Sequence, residues 1–193
     1  MTKKIKTGIY GGSFNPIHNG HIAIARQMLT LASLDEVWLV VSPQNPLKQA
    51  TDLLDDSLRL EMTRRALLPY PKLKASDYEF HLPRPSYMWN TLQSLERDFN
   101  DREFCLLIGA DNWAVFDKWY NAKEIIAHYN IAIYPRPGYC IDPQSLPKNV
   151  RIVDTGLYDV SSTQVRHLIS EGKDVSHLIP NSIIGLAEQY YKM

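Results

Sequence analysis

His18 and His21 are the side chains whose type and spacing most plainly invite chemistry. They close the run Gly11-Gly12-Ser13-Phe14-Asn15-Pro16-Ile17-His18-Asn19-Gly20-His21. Three residues apart, they are expected to share one helix face and point at one place. An apolar stretch ends at Tyr10 and a helical pattern begins at His21, so the run is a strand-to-helix turn. A helix start offers unpaired N–H groups and a positive dipole end, which together suit a phosphate. Gly11 and Gly12 are expected to end the strand, and they allow the backbone to approach a ligand closely and adopt positive φ. Two imidazoles beside such amides could hold negative charge developing on phosphate. Plainer readings compete: one histidine could cap the helix or fill the core, and the glycines could merely turn the chain. A metal site would need a third ligand, and nothing nearby has that spacing. The GxGxxG fingerprint and the Walker loop are both absent.

The elements that must position this turn read as alternating strands and helices. Ile5 to Tyr10, Glu36 to Val41, Leu73 to Ala75, Phe104 to Ile108, Ile131 to Tyr134 and Val150 to Val153 are strand-like. The Glu36 to Val41 run is apolar on both faces, as a central parallel strand should be. Helical patterns cover His21 to Leu31, Ser57 to Leu68, Tyr87 to Phe99, Ala122 to His128, Ser162 to Ser170 and Pro180 to Tyr191. Such alternation predicts an α/β fold, a doubly wound parallel sheet with a small C-terminal helical portion. A ligand on such a sheet sits beyond the carboxyl ends of the strands, at the switch point. Pro-rich pieces at Pro43, Pro83 and Pro135 look like rim loops of one site. No linker or repeat divides residues 1–193, so one domain is expected.

Composition narrows the class. The chain is 45% hydrophobic and 22% charged, ordinary for a soluble domain. Twenty-one basic residues balance 21 acidic ones, which disfavours nucleic-acid binding but permits a local basic pocket. No run approaches the roughly 18 apolar residues of a membrane span. Two cysteines, Cys105 and Cys140, make neither a disulfide scaffold nor a metal site, so a reduced, cytoplasmic protein is expected.

The Gly11 to His21 run resembles the HxGH-type signature of the nucleotidyltransferase superfamily that includes class I aminoacyl-tRNA synthetases. It is similar to one branch above all, the bacterial nicotinate-nucleotide adenylyltransferases. That branch usually carries Thr and Asp where this chain has Ser13 and Asn15. Further pieces resemble the branch in the same order. These are Pro43 to Lys48, Arg84-Pro85-Ser86-Tyr87 with Met88 in place of Thr, Gly109-Ala110-Asp111, Trp119, Arg136-Pro137-Gly138-Tyr139 and Ser161 to Arg166.

The resemblance implies a Rossmann-like fold and a reaction joining ATP to nicotinate mononucleotide, with Mg²⁺ accompanying the ATP. It implies His18, His21 and Arg166 as catalytic groups. ATP would lie against Gly11, Gly12, Ser13, Phe14, Ser162 and Thr163 as well as those three. The mononucleotide would meet Lys48, Ser86, Tyr87, Met88, Asp111, Trp119 and Arg136. Among these, Trp119 would stack on the pyridine ring, Asp111 would accept from ribose hydroxyls, and amides near Tyr87 and Met88 would take the carboxylate. Ser161 or Ser162 could instead be an N-cap, Asp111 could cap the next helix, and Arg136 could pair with a surface acid. Other adenylyl- or cytidylyltransferases of the superfamily, or a non-catalytic nucleotide-binding module, are the rivals to this reading.

Overall fold

Alternating side chains of the first strand face two apolar layers, and that alternation organises everything around it. The computed structural model describes residues 3–43 and 53–192. Strand β1 (Ile5–Gly12) lies at the centre, parallel to β2 (Glu36–Val41) on one side and β4 (Arg102–Gly109) on the other. Beyond them lie β3 (Leu73–Ser76), β5 (Asn130–Tyr134) and β6 (Val150–Ile152), giving the order β3-β2-β1-β4-β5-β6 with every pairing parallel. Every residue of β2 is buried, the apolar run of residues 37–41 as expected and Glu36 because Thr7 Oγ1, Trp38 Nε1 and Arg102 Nε donate to its carboxylate.

Tyr10 faces the layer formed by α1 (Asn19–Leu31), α2 (Asp56–Leu67), α6 (Ser162–Ser170) and α7 (Ile184–Tyr191). Ile9 faces the other layer, where Leu92 and Leu95 of α3 (Met88–Asp98) and Ile125 of α5 (Ala122–His128) pack. The sheet is therefore doubly wound. Val165, Ile169, Ile183 and Ala187 join the same core as α1, so the C-terminal helices are built into the fold. Trp38 is a core residue, its ring nitrogen donating to Glu36 Oε1 at 2.9 Å. Cys105 is buried too, and burial pushes its thiol up to about 11. No helix among the described residues is long and apolar enough to cross a membrane.

The first turn departs from expectation. β1 does not end at Tyr10 but runs on through Gly11 and Gly12, which pair with Val40 and Val41. Neither glycine has positive φ; that conformation falls on Phe14, at 45°. Proximity presses on Gly12, beside the Phe14 ring, more than on Gly11, whose neighbour is the movable end of Met88. A Cβ on Gly11 would stand 2.8 Å from Met88 Cε, and one on Gly12 would stand 2.9 Å from the Phe14 ring. Helix α1 also starts two residues early, at Asn19. Between β4 and α5 the chain adds α4 (Ala110–Trp113) and a 3-10 turn, Phe116–Lys118; another 3-10 turn, Tyr78–His81, precedes α3.

Candidate active site

The direction of chain growth across the sheet reverses between β1 and β4, and a cleft of about 300 Å³ opens at their carboxyl ends. Gly11 to Phe14 form one wall with His21. Ser86, Tyr87 and Met88 form a second, and Asp111, Trp119 and Arg136 a third. Two regions assigned to different ligands by the sequence thus meet in one space.

His18 and His21 do not sit side by side on a helix face. His18 is the N-cap of α1 and His21 its third residue. The His21 N–H donates to His18 Nδ1 at 3.3 Å, and the His18 N–H donates to His21 Nδ1 at 3.2 Å. This is a capping box in which imidazoles replace the usual hydroxyl and carboxylate. The rings stack with centroids 3.5 Å apart. Because each Nδ1 accepts, the hydrogen-bond network assigns the proton of each neutral ring to Nε2. Spacing by three therefore presets two rings as Nε2 donors.

The two are not equivalent. His21 lines the cleft, whereas His18 is only 4% exposed and does not. Burial, assisted by the charge of Arg136, pushes His18 down to about 3. The unfolded chain binds its proton near pH 6.5, so this group stabilises the fold above that pH and progressively less as pH falls toward 3. Between pH 7 and 5 the loss should be about 2 kcal/mol. His18→Asn keeps a capping side chain without the titration. Denaturant unfolding at both pH values should show wild type losing that much more than the variant; parallel losses would contradict the assignment.

On the second wall, α3 begins without a side-chain cap. Its first-turn N–H groups, beside Ser86 and Tyr87, form a ready receiver for a carboxylate or phosphate. The Tyr87 ring lies 5.0 Å from that of Tyr120, which brings the start of α3 against the segment carrying Trp119. Trp119 is half-buried and leans on Phe116 at 5.0 Å. Asp111 is not a helix cap, since Gly109 occupies the N-cap of α4. Its Oδ1 stands 3.6 Å from Arg136 Nε, an ion pair too long for a hydrogen bond. Arg136 also lies over the Tyr134 ring at 5.2 Å.

Unsatisfied polar atoms concentrate here. Among the described residues, the buried side-chain atoms without a hydrogen-bond partner are Glu79 Oε2, Ser86 Oγ, Trp119 Nε1, Arg136 Nε and Thr155 Oγ1. All but Thr155 belong to residues lining the cleft. Arg136 Nε still has the Asp111 carboxylate at 3.6 Å, and Glu79 and Ser86 act on each other. Trp119 Nε1 is therefore the cleft donor that most lacks a partner, at a cost of about 1–3 kcal/mol.

Ser162, Thr163 and Arg166 lie at α6 and outside the cleft lining. Ser161 is the N-cap there, accepting from the Gln164 N–H at 3.1 Å, which leaves Ser162 free of that duty. Ser162 Oγ donates to the Pro16 carbonyl at 2.8 Å and Arg166 to the Asn15 carbonyl at 2.9 Å, so both are tied to the first turn. Lys48 lies outside the described residues. No cluster of three or more His, Cys, Asp or Glu among the described residues could hold a metal.

Sequence reasoning passed over several cleft residues. Glu79 is 2% exposed and accepts from Thr91 Oγ1 at 2.9 Å; burial pushes its carboxyl up. Tyr10 and Tyr134 lie on the floor, Tyr134 donating to Tyr10 at 3.3 Å. Burial and the mutual contact hold Tyr10 well above the usual phenol value, so it remains neutral. An isolated acid in a loop and two tyrosines in apolar strands carry no periodic signal that could have revealed them.

Residues 9–168 match the model of the cytidylyltransferase-like family. The chain belongs to that family. A Bacteroides fragilis protein named "Probable nicotinate-nucleotide adenylyltransferase" is 47% identical over 91% of this chain and 88% of its own length. A Bacteroides thetaiotaomicron protein of the same name is 46% identical over 99% and 95%. These identities place the chain in the nicotinate-nucleotide adenylyltransferase branch of the family. In structure it is similar to the Plasmodium falciparum nicotinic acid mononucleotide adenylyltransferase complexed with NaAD, at TM-score 0.77 and 19% identity, covering 96% of this chain and 94% of that one. At that identity the likeness speaks for the fold alone.

Proposed function

We infer that this chain transfers the adenylyl group of ATP to nicotinate mononucleotide, giving deamido-NAD and pyrophosphate. The observation that carries the mechanism is that one cleft unites His21, at the start of α1, with the uncapped start of α3. Two helix starts facing one space suit two anionic substrates. In this reading residues 1–193 act as one nucleotidyltransferase domain.

The attacking group is an oxygen of the mononucleotide phosphate. Its second pKa is about 6, so it is ionised at neutral pH and needs no general base. That oxygen forms a bond to the α-phosphorus of ATP while the bond to the β-phosphate oxygen breaks, and pyrophosphate leaves. The protein must hold the two in line and neutralise charge in the transition state. His21 Nε2 donates toward the α-phosphate, and His18 keeps it oriented from beneath. Gly11, Gly12, Ser13 and Phe14 offer backbone to the triphosphate; Ser162, Thr163 and Arg166 approach it from α6. Mg²⁺ enters with ATP as part of that substrate, held by phosphate oxygens and water.

On the other wall Trp119 stacks against the pyridine ring and Asp111 accepts from ribose hydroxyls. Arg136 and Lys48 meet the mononucleotide phosphate. Ser86, Tyr87 and Met88 surround the ring carboxylate, with backbone N–H groups as its donors. A reducing cytoplasm suits the exposed free thiol of Cys140.

A carboxylate is all acceptor; the amide of nicotinamide would turn an NH₂ donor toward one of those N–H groups. Two opposed donors leave one unpaired at about 1–3 kcal/mol. The enzyme should therefore prefer nicotinate over nicotinamide mononucleotide by at least roughly tenfold in kcat/KM. Pyrophosphate release with each acceptor, at matched ATP and Mg²⁺, checks this. Equal use would remove the start of α3 as the carboxylate receiver.

A further inference from the structure

Arg59 is a charged side chain with no exposed surface at all. It stands in the first turn of α2 and spends its donors on backbone carbonyls of three segments. Nε donates to Leu54 at 2.7 Å. Nη1 donates to Ser13 and, at 2.9 Å, to Ser42. Nη2 reaches Pro43 at 3.5 Å. Among the described residues no carboxylate hydrogen-bonds to it; burial pulls its pKa below the usual arginine value, against the opposing pull of the nearby Asp56 and Asp55 charges. Burying a guanidinium on neutral acceptors is unfavourable, so an apolar residue would serve better if packing were its only task.

The Ser13 carbonyl is the telling partner. The Ser13–Phe14 peptide is trans, so its carbonyl and its N–H point in opposite directions. With the carbonyl turned to Arg59, the Phe14 N–H turns away from it, and no described residue accepts that N–H. Ser13 and Phe14 line the cleft while Arg59 does not. Phe14 also holds φ at +45°, a conformation that a bulky L residue avoids unless its surroundings impose it. Arg59 is placed to impose it.

We propose that Arg59 is a positioning residue that fixes the Ser13–Phe14 peptide so that the Phe14 N–H points into the cleft as a donor to the ATP phosphates. This rests on the adenylyl-transfer reading and adds a residue to it. An arginine holds several carbonyls through one rigid fork, whereas a lysine ammonium is a point donor on a flexible stem. Arg59→Lys preserves the charge but cannot hold the Ser13, Ser42 and Leu54 carbonyls together.

The test measures kcat/KM for ATP, direct mononucleotide binding by tryptophan fluorescence, and melting temperature, for wild type and Arg59→Lys. A fall in kcat/KM for ATP on the order of a hundredfold is expected, the low end of the range for losing one aligned donor. Mononucleotide Kd should stay within about twofold. Unchanged ATP kinetics would overturn the proposal, and so would equal losses for both substrates accompanied by a large drop in melting temperature. The wild-type protein supplies a second measurement that no folding defect can blur. The ¹⁵N–¹H signal of Phe14 should shift when a non-hydrolysable ATP analogue is added, and an unmoved signal would overturn the proposal. Absence of any wild-type pyrophosphate release would instead count against the adenylyl-transfer reading itself.

Discussion

His21→Ala should fold normally and lose on the order of 10²–10³ in kcat, the usual effect of removing one preorganised donor from a transition state. The structure adds a complication and its control. His21 Nδ1 accepts the His18 N–H, so alanine removes half of a capping box along with the catalytic donor. Losing a cap of this kind costs roughly 1 kcal/mol of stability. Glutamine is an ordinary third-position partner in a capping box, so His21→Gln should restore the cap and the melting temperature. Its amide cannot reproduce the position of Nε2, so kcat should stay low. A glutamine or alanine variant with wild-type kcat at saturating ATP would remove His21 from the mechanism.

Trp119→Ala should weaken use of the mononucleotide by about 1–3 kcal/mol, the scale of stacking a base on an aromatic ring. The deficit belongs in the mononucleotide KM, with the KM for ATP little changed, because Trp119 lies on the wall opposite Gly11 to Phe14 in the reading above. Trp119 also rests on Phe116, which is almost wholly buried, so truncation opens space beside the core. Trp119→Phe separates these contributions. It retains a stacking face and most of the packing, so it should recover most of the KM. If the alanine variant unfolds, or raises both KM values alike, Trp119 is a packing residue and the ring platform lies elsewhere.

Much of the fold was legible because its signals are local. The apolar run of residues 37–41 in β2, the helical spacing of α1 and the serine at the start of α6 each state a structure within a few residues. Position in the sheet is not local. Placing β1 between β2 and β4 depends on handedness and on which faces must be covered. The four residues of α4 are too few to show a period.

At the site, the histidine spacing was visible but its meaning was not. The same interval describes two residues on a helix face and the two ends of a capping box, and only the backbone dihedrals of His18 choose between them. Positive φ was sought at Gly11 and Gly12 because glycine tolerates it, yet Phe14 carries it under constraint. Arg59 hid for a related reason. Between Leu58 and Leu60 it reads as a helix cation bound for water, and only the carbonyls converging from Ser13, Ser42 and Leu54 show why it is inside.

The most direct test of the whole account is the product balance of the purified protein given ATP, Mg²⁺ and a panel of phosphorylated acceptors. With nicotinate mononucleotide, deamido-NAD and pyrophosphate should accumulate in equal amounts, and no other acceptor should support comparable turnover. Pyrophosphate without deamido-NAD, or faster turnover with a different acceptor such as a phosphorylated pantetheine, would contradict it.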